Sequence, residues 1–136
     1  MTSALETLGT GKYLSLTTFR KDGTPVATPV WLVRDGDVLR VLTGPASGKV
    51  KRLRNNPSVL VAPCDMRGRL KPGVLPVSAT VTLEDEVQTQ QTRALITKRY
   101  GLMGRILGRS NERRARTAND GVLGHQGLRI RLDASA

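Results

Sequence analysis

Two Asp-Gly pairs set among apolar, β-branched residues constrain this chain more than any other feature. Lys21-Asp22-Gly23-Thr24 separates the run Tyr13 to Phe19 from Pro25 to Val33, and Arg34-Asp35-Gly36-Asp37 separates the latter from Val38 to Thr43. Glycine takes the left-handed backbone that a tight hairpin needs, and aspartate bonds its own backbone two residues on. Three strands joined by two tight turns make an antiparallel meander. A parallel sheet would need repeated βαβ units instead. Pro25 and Pro29 have no ladder N–H, so part of the second strand is expected at an edge or a bulge.

The remaining segments extend this pattern. Ser3-Ala4-Leu5-Glu6 has capping-box spacing, which predicts a short opening helix ending near Gly9 or Gly11. After Thr43 a Gly/Pro loop enters a helix from about Ser47 to Asn55, halted by Pro57, with Val50 and Leu53 on its inner face. Ser58 to Cys64 reads as a buried strand, and Val77 to Leu83 alternates as a half-buried one. The connection between them is loose and carries Pro72, Gly73 and Pro76. A helix is expected from about Glu86 to Tyr100, with Glu84, Asp85 and Glu86 at its opening, Lys98 and Arg99 in its last turn and Gly101 as its stop. Met103 to Leu107 reads as a further helical turn, and Arg109 to Asp120 as loop or exposed helix. Leu128-Arg129-Ile130-Arg131-Leu132 alternates strictly and predicts a strand with one wet, basic face. About six short strands with hairpin signals predict a mainly β chain. Its expected form is a small closed or split antiparallel barrel, in a single domain over residues 1–136.

Composition narrows the function classes. At 38% hydrophobic residues the core is small but real. No apolar run approaches the roughly 18–20 residues that span a membrane, and the first residues lack a signal-peptide core. The single cysteine, Cys64, permits no internal disulfide. A cytoplasmic protein is expected. The formal charge of +11 attracts polyanions: nucleic acid, an anionic membrane surface or a phosphate-bearing small molecule. The aromatics are Tyr13, Phe19, Trp31 and Tyr100, too few for the stacking platforms that hold single strands. Duplex binding through phosphates stays open.

The chemistry concentrates between Thr43 and Pro57. Lys49, Lys51, Arg52 and Arg54 fall within six residues at the start of a short helix, where unpaired N–H groups and the helix dipole favour anions. This is neither a Walker loop nor a dinucleotide fingerprint. Elsewhere the signals are plain. His125, alone in Gly124-His125-Gln126-Gly127, defines no metal site, and Cys64 reads as an inert buried thiol. Asp22, Asp35, Asp37 and Asp65 sit in turns, and no carboxylate pair demands acid–base work. Arg99, Arg105, Arg109, Arg113, Arg114 and Arg116 form a late basic group whose plain reading is a solvated face. Trp31 reads as core packing or a rim covered by a partner, with a wall beside a flat ring as the sharper alternative.

Lys12 to Thr18, Asp22 to Trp31, Thr43-Gly44 to Pro57, Val61 to Gly68 and Lys98-Arg99-Tyr100-Gly101, taken in order, resemble the split-barrel flavin and deazaflavin oxidoreductases. These belong to the pyridoxamine 5'-phosphate oxidase-like superfamily. The resemblance spans roughly residues 10 to 133. It implies a homodimer of six-stranded antiparallel split β-barrels of the FMN-binding type, with a cofactor at the subunit interface. In the most similar subgroup that cofactor is often coenzyme F-420, a deazaflavin whose tail carries a phosphate and an oligoglutamate. FMN serves other branches, and some relatives bind heme.

By this resemblance Thr43, Ser47, Gly48, Lys49, Lys51 and Arg52 lie near the phosphate. The backbone of Thr28, Pro29, Val30 and Trp31 lines the ring, and Ala62, Pro63 and Cys64 approach it from the neighbouring strand. A late arginine is expected to reach the oligoglutamate. The implied activity is hydride transfer from the reduced cofactor to a small electron-poor organic acceptor. The cofactor does the chemistry and the protein supplies no catalytic side chain of its own. An FMN-dependent oxidase or reductase of the same fold and a non-enzymatic polyanion binder are the alternatives. Many relatives carry an aromatic residue in the loop equivalent to Lys71 to Pro76, where this chain has Gly73-Val74-Leu75-Pro76.

Overall fold

Each Asp-Gly turn closes a hairpin. Gly23 and Gly36 adopt φ of 89° and 62°, and the Asp22 carboxylate accepts the Thr24 N–H at 2.9 Å. The computed structural model describes residues 4–45, 47–101 and 125–133. The elements are α1 (Ala4–Thr10), β1 (Tyr13–Phe19), β2 (Pro25–Asp35), β3 (Val38–Thr43), α2 (Gly48–Asn55), β4 (Ser58–Cys64), β5 (Val77–Leu83), α3 (residues 86–101) and β6 (Gln126–Leu132). Among the described residues no helix is long and apolar enough to cross a membrane. Ser3, the expected turn at Met103 to Leu107 and the stretch Arg109 to Asp120 lie outside the described residues.

The six strands close in the order β1-β2-β3-β6-β5-β4, every pair antiparallel. One face of each strand fills the barrel: Leu14, Leu16, Val30, Leu32, Leu39, Val41, Val59, Val61, Ala79, Val81, Leu128 and Ile130 form one cluster. Burying each of the Leu, Val and Ile side chains is worth about 1.5–3 kcal/mol. α1 inserts Leu8 into the same cluster, and α2 packs Val50 and Leu53 inward against β1 and β5.

Closure is uneven, and this opens the split. β2 pairs with β1 from Pro25 to Trp31, then with β3 from Leu32 to Asp35. Residues 25–31 therefore have a ladder partner on one side only, as Pro25 and Pro29 require. At the crossover, α3 replaces the missing ladder. The Tyr100 hydroxyl accepts from the Leu32 N–H at 3.3 Å and lies 2.7 and 2.8 Å from the Leu32 and Lys12 carbonyls. Arg99 donates to the carbonyls of Leu32 and Gly11, both at 2.7 Å.

The acidic opening of α3 differs from expectation. Asp85 and Gln88 cap the helix reciprocally: Gln88 N–H bonds the Asp85 carboxylate at 2.8 Å and Asp85 N–H bonds Gln88 Oε1 at 3.1 Å. Glu84 is not part of that turn. It is 5% exposed and turns to Arg40, 4% exposed, with Nη2 3.1 Å from Glu84 Oε2. Arg40 also donates to Thr92 Oγ1, the Gln88 carbonyl and Asp35, and Thr92 donates to Glu84. Arg129 Nε stands 3.6 Å from Glu84 Oε2, so the β6 face expected to be wet is half covered. Arg131 keeps the exposed role and pairs with Asp37 at 2.8 Å. Gly127 is required beside this cluster, because a Cβ there would stand 2.0 Å from Glu84 Oε1.

Candidate functional site

α2 begins at Ser47, which takes extended backbone (φ −67°, ψ 153°) and accepts the Val50 N–H on its Oγ at 3.4 Å. No acid lies in the first turn. The helical repeat then sorts the cations. Lys49 and Arg52, three residues apart, share the flank beside β1 and are half-buried. Lys51 is turned roughly 200° from Lys49 and is exposed, as is Arg54. Four adjacent cations in sequence thus become two at the cradle and two in solvent.

Among the described residues neither Lys49 nor Arg52 pairs with a carboxylate. Burial pushes the Lys49 ammonium below its usual range, and the positive charge of Arg52 pushes it further the same way. Arg52 folds back along the helix, against the pull of the C-terminal dipole. Its Nε donates to Thr18 Oγ1 on β1 at 2.6 Å, and its Nη1 lies where a Cβ on Gly48 would stand 2.7 Å away. A glycine at 48 is what lets the guanidinium lie over the first turn. The helix N-terminus, Lys49 and Arg52 together concentrate positive charge and N–H donors of the kind that suit a phosphate. Thr43 ends β3 opposite Gln126, at the mouth of the loop that leads to Ser47.

The expected ring-lining residues flank a common strand. Trp31, Val30 and Pro29 pair across β1 with Tyr13, Leu14 and Ser15, which pair in turn with Cys64, Pro63 and Ala62. β4 is therefore not the neighbour of β2. β1 lies between, which at 4.7–4.9 Å per strand sets the two groups roughly 9–10 Å apart. The turn after β4 narrows that gap. Asp65 accepts the N–H groups of Arg67 and Arg69 at 2.8 and 2.9 Å, and a Cβ on Gly68 (φ 85°) would stand 3.4 Å from Pro29. Val30 faces the core, so only its backbone is free to meet a ligand. Thr28 shares that inward face, and its Oγ1 is buried without a hydrogen-bond partner.

Other expectations resolve individually. Trp31 is not core: it stacks on Tyr100, ring centroids 4.5 Å apart and planes within 9°. Arg99 is committed to backbone carbonyls and lies 5.3 Å over the Tyr100 ring, so it is not a spare cation for an anionic tail. Arg105, Arg109, Arg113, Arg114 and Arg116 lie outside the described residues. Cys64 is half-buried, and burial and Asp65 raise its thiol pKa, as an inert thiol requires. Among the described residues no three His, Cys, Asp or Glu side chains gather as a metal site would need. Thr18 was missed altogether, because nothing in a strand marks which threonine a distant arginine will reach.

Comparison with known proteins agrees with this architecture. An F-420 reductase shares 22% identity, with 98% of this chain and 97% of that chain covered and a TM-score of 0.62. The heme storage protein of Vibrio cholerae shares 18%, covering 91% and 83%, at 0.64. An FAD-binding protein of Mesorhizobium loti shares 18%, covering 97% and 89%, at 0.60. At such identities these neighbours speak for the fold. No curated protein matches the chain. The family described as pyridoxamine 5'-phosphate oxidase matches residues 3–119. With its six-stranded barrel, this chain belongs to the pyridoxamine 5'-phosphate oxidase family of split-barrel proteins.

Proposed function

We propose that this protein binds coenzyme F-420 and serves as an oxidoreductase acting on a small electron-poor organic compound. The observation that carries this reading is the Lys49–Arg52 couple. It consists of two half-buried cations at a helix N-terminus, with no carboxylate paired to either among the described residues. Holding such a pair together without an anion is unfavourable, and a phosphate would relieve it.

Other features fit the same group. Ser47, Gly48, Lys49 and Arg52 would hold the phosphate. The unpaired edge of β2 at Thr28 to Trp31 offers backbone donors and acceptors to a flat heterocycle, and the Thr28 hydroxyl still needs a partner. When bound in reduced form, such a cofactor supplies a hydride. The chain's own residues bind, orient and shield. Met66 (67% exposed) and Leu75 (82%), on the loop after β4, support a homodimer in which a second copy covers that loop. The family membership supports a flavin-type ligand, and the F-420 reductase neighbour motivates the choice of deazaflavin.

The test is a fluorescence titration with oxidised F-420, set beside FMN. Saturable binding of F-420 in the micromolar range or tighter is expected. Tight FMN binding with F-420 silent would replace the deazaflavin by a flavin and keep the cradle. Binding of duplex DNA that collapses with salt, with neither ring bound, would overturn the reading in favour of a polyanion binder.

A further inference from the structure

Arg52 belongs by position to the last turn of α2, yet its guanidinium lies over the first. Two forces oppose that arrangement. Lys49 repels it, and a free arginine side chain has many other rotamers in water. Gly48 removes the steric obstacle without attracting the group. The attraction comes from another element: Thr18, the sixth residue of β1, is fully buried, and its Oγ1 accepts from Arg52 Nε at 2.6 Å. This is the one hydrogen bond that Arg52 makes through its side chain among the described residues. Using Nε leaves the four N–H groups on Nη1 and Nη2 for a ligand, which is the planar fork that matches a phosphate edge.

We infer that Thr18 is the positioning residue of the anion cradle: its buried hydroxyl holds Arg52 over Gly48, so that the guanidinium fork is fixed before a phosphate arrives. The inference rests on the cradle reading of Lys49 and Arg52. Thr18 does not touch the ligand in this account. It acts by removing the ordering cost of Arg52 from the binding step. The barrel wall thus sets the affinity of a site on the adjoining helix.

The experiment uses two probes that share one ring. One is oxidised F-420. The other is 8-hydroxy-5-deazariboflavin, the same chromophore and ribityl chain without the phosphate and the oligoglutamate beyond it. Thr18→Val keeps the shape and removes the acceptor, and Thr18→Ser keeps the acceptor and removes a methyl. Thr18→Val should weaken F-420 about tenfold while leaving the phosphate-free ring within about twofold of wild type. Thr18→Ser should restore F-420 binding to near the wild-type value.

Thr18→Val that retains full preference for F-420, or that loses both probes equally, overturns the inference. So does Thr18→Ser behaving like Thr18→Val. A wild-type protein that binds the two probes alike, or neither, overturns the cradle itself and the inference with it. The two failures are therefore distinguishable from the wild-type measurement alone.

Discussion

Two cationic groups stand on opposite terms with their surroundings. Around Arg40, burial is nearly complete and compensation is dense: Glu84, Asp35, Thr92 and the Gln88 carbonyl all receive its N–H groups or charge. Around Lys49 and Arg52, burial is partial, and compensation among the described residues is one hydroxyl, on Thr18. A buried arginine with its carboxylate in place is part of the fold. It fixes the start of α3 against β3 and β6. Two half-buried cations with no carboxylate beside them among the described residues are an incomplete charge set, and that incompleteness is the ground of the proposed anion site.

The largest effect should come from the complete cluster. Glu84→Ala leaves Arg40 buried and Arg129 half-buried without their shared carboxylate. It should cost about 3–5 kcal/mol, read from urea unfolding midpoints. Glu84→Gln keeps the volume and should fall between Glu84→Ala and wild type. F-420 affinity of the folded fraction should not change in either. A loss under about 1 kcal/mol for Glu84→Ala would show that the two groups do not differ as described.

The same contrast explains what was legible in the sequence. β1, β3, β4 and β5 have the bounds that alternation and turn residues predict, because both signals are local. The start of α2 at about Ser47, Val50 and Leu53 as its buried side, and the one-sided pairing of β2 at its prolines were legible for the same reason. Glu84 was not. It adjoins a capping Asp85, and only the fold brings Arg40 to it from 44 positions away. The contacts of Trp31 and Arg99 were not legible, because their partners, Tyr100 and the carbonyls at Gly11 and Leu32, come from across the chain. For the proposed cradle, the sequence marked the cationic stretch but not which of its cations share a flank. A turn of helix separates Lys51 from Lys49, and a strand residue, Thr18, supplies the missing anchor. Closure in the order β3-β6-β5-β4 is likewise a long-range outcome that no local pattern encodes.

The incomplete cluster should answer in the opposite sense. Lys49→Met removes a desolvated, repelled charge, so its urea midpoint should equal or exceed that of wild type, while F-420 affinity should fall about tenfold, ~1.4 kcal/mol. Lys51→Met, on the exposed face, should change affinity less than about threefold, through long-range charge alone. Equal losses at 49 and 51 would erase the sorting of cations by the helix. A Lys49→Met protein that is markedly less stable would place Lys49 with Arg40 among the structural charges.

The smallest effect is a pH dependence, and its sign separates the two clusters. Lys49 titrates below the ordinary lysine value of 10.5 in the folded chain, chiefly because burial disfavours the ammonium, with Arg52 adding to it. Below the folded value both states hold the proton and the penalty on the charged form is present in full. Between the folded value and 10.5 the unfolded chain binds more protons than the folded one, so stability rises with pH across that window and levels off above it. A bound phosphate favours the ammonium and raises the folded value. F-420 binding should therefore take up protons in the window, and affinity should weaken as pH climbs through it. Unfolding midpoints of wild type and Lys49→Met, measured side by side from about pH 8 to 10.5, cancel the other titrating lysines and tyrosines. The wild-type value should gain on the variant as pH rises. A gap that stays constant or moves the other way would mean that the ammonium of Lys49 is already compensated within the fold, and the incompleteness on which the proposed binding site rests would be lost.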